Sequence, residues 1–286
     1  MTHHFDRITE QIMAMIANGA ENYAMPWHAL GRDIPVNATT GKAYRGLNVL
    51  SLWMEAASKA YPTGRWSSYR QWAAAGAQVR KGEKGTPIFF WQARDTAPGD
   101  ENAASEKRLR GFVARTYFVF NQAQVDGLDE ANITSSTRLA DDCEAVAFFE
   151  AIGAVAEHSG DRAYYRPGTD TIYLPEPHQF SSHEAYVSVR AHETVHWTGA
   201  KQRLNRDLTS RFGTNDYAME ELIAELGAAF LCSQLGISAT PRSDHAAYMS
   251  TWLKVMKGDN KAILTAASQA QASVDWMISK YHETGY

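Results

Sequence analysis

The sequence is poor in cysteine, with only Cys143 and Cys232 in 286 residues, each inside a run that reads as helix. So few thiols exclude a disulfide framework and fit a reducing cytosol, where both pack as small apolar groups. Long hydrophobic runs are also missing, and no segment approaches the roughly 20 apolar residues that span a bilayer. The opening MTHHFDRITE lacks the apolar core of a secretory signal. These absences predict a cytoplasmic protein without a membrane partner. Internal repeats and low-complexity tracts are absent too.

Net charge is small, −4, but it is unevenly spread. Between Lys42 and Arg94 there are nine basic residues against two acidic ones, which leaves 19 basic against 30 acidic elsewhere. That asymmetry predicts an N-terminal surface for a polyanion.

The length exceeds the usual size of one core and predicts two domains, 1–130 and 139–286. In the first, Phe5, Ile8, Ile12 and Ile16 make one stripe of an opening helix that ends at Gly19. Helices from about Asn48 to Ala60 and from Ser68 to Ala75 follow, then a glycine-punctuated turn, RKGEKG. Strands TPIFFWQA and RGFVARTYFVF flank an acidic stretch of loop composition. From about Leu139 helix patterns prevail, including DDCEAVAFFEAIGAVAEH, with a small hairpin RAYYRPGTDTIYLP closed by Pro-Gly. The fold class is therefore α+β: a mixed α/β domain with a small antiparallel sheet, followed by a mainly helical domain with a short sheet.

Within the helical part, AHETVHWTG carries two histidines four residues apart. Positions four apart on a helix differ by about 40° in direction, so His192 and His196 can share a metal ion. Glu193 lies beside that face, where its carboxylate can take a proton from a water that the ion activates. Ser181 and Glu184 have capping-box spacing, and Gly199 suits a left-handed position after the helix end. An H-E-x-x-H pattern alone arises by chance in on the order of one chain in a hundred of this size, so a third ligand is required.

NDYAMEELIAELGAAFLCSQLG supplies one. It reads as a helix that is apolar all round, closed by Gly236, yet Glu221 and Glu225 share one face of it. Carboxylates are costly there without a partner, and a metal with its histidines supplies one. Glu221 is assigned as third ligand and Glu225 as the residue that orients a ligating histidine, while Glu220 is read as solvated. Tyr217, one turn before Glu221, is a candidate to steady an oxyanion, with plain packing as its competing role. Zinc is the default ion for two histidines and a carboxylate with an open position, and manganese, cobalt or nickel suit the same ligands. His192, Glu193, His196 and EELIAE resemble a gluzincin-type metallopeptidase, in which an aspartate more often stands where this chain has Glu225.

Five of the eight tryptophans fall by residue 91: Trp27, Trp53, Trp66, Trp72 and Trp91. Arginines, lysines and Tyr69 are interleaved with them. Unpaired bases stack on aromatic rings while cations hold phosphates, which points to single strands rather than duplex. Arg45, Trp66, Tyr69, Arg70, Arg80, Lys81 and Lys84 are the predicted DNA contacts.

PWHALGRDIPVNATTGKAYRGLNVLSLW, WSSYRQWAAAGAQVRKGEKGT, FVFNQAQVDGL and the run from AHETVHWTG to EELIAELGAAFLC resemble the ArdC-type antirestriction proteins of conjugative plasmids, in order and along nearly the whole chain. That resemblance implies an N-terminal domain binding single-stranded DNA, joined to a C-terminal zincin-like metallopeptidase domain, in a protein that helps incoming DNA survive restriction. An unknown protein substrate, such as a restriction-related host protein, would be the peptidase partner. Two alternatives stand beside this reading: a single-strand binder whose metal site is structural, and a peptidase regulator or toxin for which DNA binding is incidental.

Overall fold

A computed structural model of the chain describes residues 2–19, 33–93, 112–129, 145–208, 210, 214–239, 246–259 and 261–285. Eight α-helices and nine strands lie among the described residues. The first helix, α1 (Thr2–Gly19), buries Ile8, Ile12 and Ile16 as their four-residue spacing predicts. Phe5 belongs to the same helix, but its side chain lies outside the described residues.

The N-terminal sheet has the order β1 (Val36–Asn37), β2 (Arg65–Ser68), β5 (Phe112–Asn121), β4 (Thr86–Ala93). The expected strands β4 and β5 pair antiparallel in register from Thr86 opposite Val119 to Ala93 opposite Phe112. The sheet is not purely antiparallel, however, because β1 runs parallel to β2. A parallel pair needs a crossover, and helix α2 (Leu47–Ser58) makes it. A shorter helix, α3 (Tyr69–Ala74), begins with a reciprocal capping box between Ser68 and Gln71. Two small strands, β3 (Gln78–Val79) and β6 (Val125–Asp126), pair beside the basic turn. On the β4 edge, Asn48 of α2 donates to the carbonyl of Phe89 and accepts from its amide, both at 2.8 Å. One side chain thus blunts that edge as a neighbouring strand would.

The C-terminal region starts with α4 (Ala145–Ala151), shorter than the helix expected there, because Ala156–His158 forms strand β7 instead. The predicted hairpin is present as β8 (Tyr164–Arg166) and β9 (Thr171–Leu174), with β7 added parallel on the far side of β9. Four helices follow: α5 (His183–Thr198), α6 (Asn215–Gln234), α7 (Ala246–Gly258) and α8 (Ala262–Glu283). As its all-round apolar pattern predicts, α6 is almost wholly buried, packed between α5 and α8.

The two sequential regions share one main core, and a smaller cluster of Ala38, Trp72, Ala77, Val79 and Val125 lies within the N-terminal one. One continuous cluster of buried side chains runs from Ile8 through Trp53 and Phe89 to Phe230 and Met277. Trp53 of α2 meets Phe230 of α6 with ring centroids 5.9 Å apart, and α1 packs on α7. Cys232 is a free, buried thiol, while Cys143 lies outside the described residues. No described helix is long and apolar enough to cross a membrane.

Candidate metal centre

Helix α5 carries the histidine pair and is capped at both ends, by a residue next to the expected one at its start and by the expected Gly199 at its end. Ser182, one position after Ser181, is the N-cap, accepting a hydrogen bond from the amide of Ala185 at 3.2 Å. Gly199 ends the helix at φ −72°, an ordinary right-handed conformation. What requires glycine there is space: a Cβ would stand 2.9 Å from Nη2 of Arg206 and 3.0 Å from the carbonyl of His196.

Helix α6 crosses α5 so closely that a Cβ on Gly227 would stand 2.7 Å from Cγ2 of Val195. That approach puts the carboxylates of α6 against the histidines. Nε2 of His192 and Nε2 of His196 lie 3.2 Å apart. Oxygens of Glu221 lie 3.5 Å from the first and 3.6 Å from the second. An ion held tetrahedrally by bonds of about 2.0–2.1 Å has ligand atoms about 3.3–3.4 Å apart, so this triangle already has the dimensions of one face of a metal site. His192, His196 and Glu221 thus converge as the sequence reading placed them, and the donor set fits a divalent metal.

Each ring nitrogen facing away from the triangle meets a carboxylate. Oε2 of Glu225 lies 3.5 Å from Nδ1 of His192. Oε1 of Glu220 lies 3.1 Å from Nδ1 of His196, so Glu220 is not the solvated residue the sequence predicted but a buried one. A proton donated from Nδ1 of His196 to Glu220 leaves its Nε2 lone pair for an ion, whereas Glu225 stands beside Nδ1 of His192 without hydrogen-bonding geometry. Burial pushes the Glu220 carboxyl up, but hydrogen bonds from His196 and Arg206 outweigh it and hold the group below its ordinary value. The same contest at Glu221 is won more decisively: against burial, His192, His196 and the hydroxyl of Tyr217 bring it to about 2. Tyr217 thus stands beside Glu221 at the same cavity.

A cavity of about 220 Å³ lies over the triangle. Glu193, buried on α5, lines it, as do Tyr217 and the edge strand β8 with Tyr164 and Tyr165. The hairpin is pinned by Asp170, which takes hydrogen bonds from Arg203, from Gln202 at 2.9 Å and from Tyr165 at 2.8 Å. Arg203 in turn lies 3.8 Å above the ring of Trp197. Neither Arg203 nor Arg206 was found from the sequence, since both follow α5 in irregular chain where no periodicity points. Glu220 could have been found, because the argument that a carboxylate on an apolar helix needs a partner applies to it as well.

The predicted DNA contacts do not all reach solvent. Trp66 is fully buried, its ring meeting Tyr61 edge-on at 5.8 Å, so it is a core residue and no base can stack on it. Trp53 and Trp72 are buried likewise, and Trp27 lies outside the described residues. Tyr69, Arg70, Lys81 and Lys84 are exposed. Arg80 is exposed too, but it is held by Glu83 at 2.9 Å and Asp126 at 3.3 Å. Arg45 pairs with Asp275 of α8. Phe90 and Tyr117, which the tryptophan-weighted sequence reading did not single out, are both exposed on the sheet.

Comparisons with known proteins agree with this architecture. Residues 3–120 match the N-terminal domain of anti-restriction factor ArdC, and residues 143–269 match a zincin-like metallopeptidase family. Protein y4eC of Sinorhizobium fredii is 45% identical over 96% of this chain and 92% of its own. DNA primase TraC of Escherichia coli is 37% identical over 96% of this chain, which spans only 27% of the primase. Among solved structures, the metal-free antirestriction protein ArdC of plasmid R388 is 38% identical, covers 98% of both chains and superposes with a TM-score of 0.80. Its Mn(II)-bound form is 37% identical over 97% of both chains, with a TM-score of 0.78. With sequence, fold and both regions matched end to end, the chain belongs to the ArdC family of antirestriction proteins.

Proposed function

We propose that this protein binds single-stranded DNA without base preference and protects incoming plasmid DNA during conjugation, acting in the cytoplasm, and that its C-terminal region is a zinc-dependent peptidase. The observation that carries the peptidase reading is the ligand triangle with Glu193 beside it in a cavity bordered by an edge strand. A structural metal site needs no such base and no such opening.

In this reading His192, His196 and Glu221 hold the ion, with zinc the expected occupant and manganese, cobalt or nickel compatible with the same atoms. The ion supplies Lewis acidity toward a peptide carbonyl and a water molecule. Glu193 accepts the proton from that water and passes it to the leaving amine. Glu225 and Glu220 keep the two imidazoles oriented through Nδ1. Tyr217, which lines the same cavity, would donate to the developing oxyanion. Strand β8, at the end of its sheet among the described residues, offers an edge to an extended polypeptide, which suits a protein substrate such as a restriction-related host protein.

For DNA, the exposed Tyr69, Arg70, Lys81 and Lys84 make a basic surface around the glycine turn, Arg80 adds charge once its acidic partners are displaced, and Arg45 stays paired with Asp275. Glu193→Gln is the central test. It is expected to retain divalent metal and single-stranded DNA while losing peptide hydrolysis. If plasmid protection in a restricting recipient survives that substitution unchanged, proteolysis is not part of the function.

A further inference from the structure

A cavity of about 660 Å³ opens where the N-terminal sheet meets α8, within the range of about 300–1,000 Å³ typical of small-ligand sites. Lys42, Arg45, Asn48 and Phe90 line one wall, and Ser268 and Asp275 of α8 line the other. The two walls are fixed to each other. The amide of Gly46 donates to Oε1 of Gln271 at 2.9 Å, and Arg45 pairs with Asp275. Gly46 sits at φ +55°, a left-handed conformation that an L side chain rarely adopts. The space between the walls is therefore preformed.

At its mouth Phe90 is 53% exposed and meets Tyr117, 47% exposed, edge to face with centroids 5.5 Å apart. In the strand register Phe90 stands opposite Arg115, and Ile88 opposite Tyr117, so Phe90, Tyr117 and exposed Arg115 share one face of the sheet. Large rings left in water beside a cavity are candidates to be covered by a partner. A protein partner with an apolar face would favour an uncharged rim, whereas here the exposed Lys42 and Arg115 flank the rings, beside Arg45 in its pair with Asp275. The single acid, Asp275, is taken up by Arg45 and Gln271. Aromatic faces with flanking cations are what stacked bases and their phosphates require.

We propose that the Phe90–Tyr117 pair and the cavity behind it seat consecutive unpaired nucleotides of a single strand, with α8 of the metallopeptidase-like region forming one wall. This rests on the single-strand-binding reading above and moves its centre from the basic turn to the seam between the two regions. Helix α8 also carries Ser273, which accepts a hydrogen bond from Arg206 at 2.9 Å, so the DNA seat and the metal centre lean on the same helix.

The test is fluorescence anisotropy of a labelled oligothymidine on the full chain. Phe90→Ala with Tyr117→Ala should weaken binding about tenfold or more. Ser268→Trp, which fills the cavity from an exposed position of α8, should weaken it too, with the parent's thermal midpoint retained. Oligothymidine binding by the parent that neither variant alters would overturn the seam site and leave the basic turn as the DNA surface. Equal affinity of the parent for duplex would also overturn it. No binding by the parent at all would remove the single-strand reading itself.

Discussion

Arg206 grips Glu220 with two nitrogens, Nε at 3.0 Å and Nη2 at 2.9 Å, while the same carboxylate lies 3.1 Å from Nδ1 of His196. The guanidinium also donates to the carbonyl of Val195 and to Oγ1 of Thr198, at 2.6 and 3.1 Å. A loop residue therefore ties the end of α5 to α6 and braces the His196 ring through one carboxylate. Arg206→Ala is expected to lower divalent-metal affinity by about 10–100-fold, read by chelator competition. Arg206→Lys should not rescue it, because an ammonium cannot reproduce the planar fork. Wild-type affinity in either variant would show that His196 needs no such brace.

Gly227 governs how near the carboxylates come to the histidines. Gly227→Ala places a Cβ 2.7 Å from Val195 and is expected to cost about 1–3 kcal/mol in urea unfolding. Combining it with Val195→Ala should recover part of that loss, giving a coupling between the sites that a helix-propensity effect would not show.

Asn48→Ala removes both hydrogen bonds to the Phe89 backbone and leaves a buried strand edge unpaired. A loss of about 1–3 kcal/mol is expected. Hydrogen exchange should quicken at the Phe89 amide while the amides between β5 and β2 stay protected.

Asp170 titrates below its ordinary 3.8, chiefly because Arg203 donates to it, against burial, with Tyr165 and Gln202 adding to the effect. A depressed carboxyl contributes stability that is complete above 3.8 and lost as pH falls through its folded value. The difference in thermal midpoint between the parent and Asp170→Asn should therefore be constant above about pH 5 and shrink below 3.8. A difference that persists at acid pH would mean that the ion pair is not what pins the hairpin.

Much of the candidate metal centre's geometry was legible because a helix converts spacing into direction. His192, His196, Glu221 and Glu225 each follow from a four-residue interval on a helix whose burial the composition marks. What could not be read depends on chain that leaves the helix. Arg206 returns to α5 and α6 from irregular structure, and the Asp170–Arg203 clamp joins residues 33 positions apart. Strand β1 escaped because two residues carry no periodicity. Trp66 was misassigned for the opposite reason: aromatic content signals stacking or core equally well, and only the sheet's covered face decides between them.

The seating of α1 on α7 has a consequence for how this chain can be divided. Ile8, Ile12 and Ile16 find their cover near residue 250, so a cut between the two regions leaves each piece with an uncovered apolar face. Co-expressed as separate polypeptides, the halves should behave as complementing fragments: poorly soluble alone, and regaining a single cooperative unfolding transition when mixed.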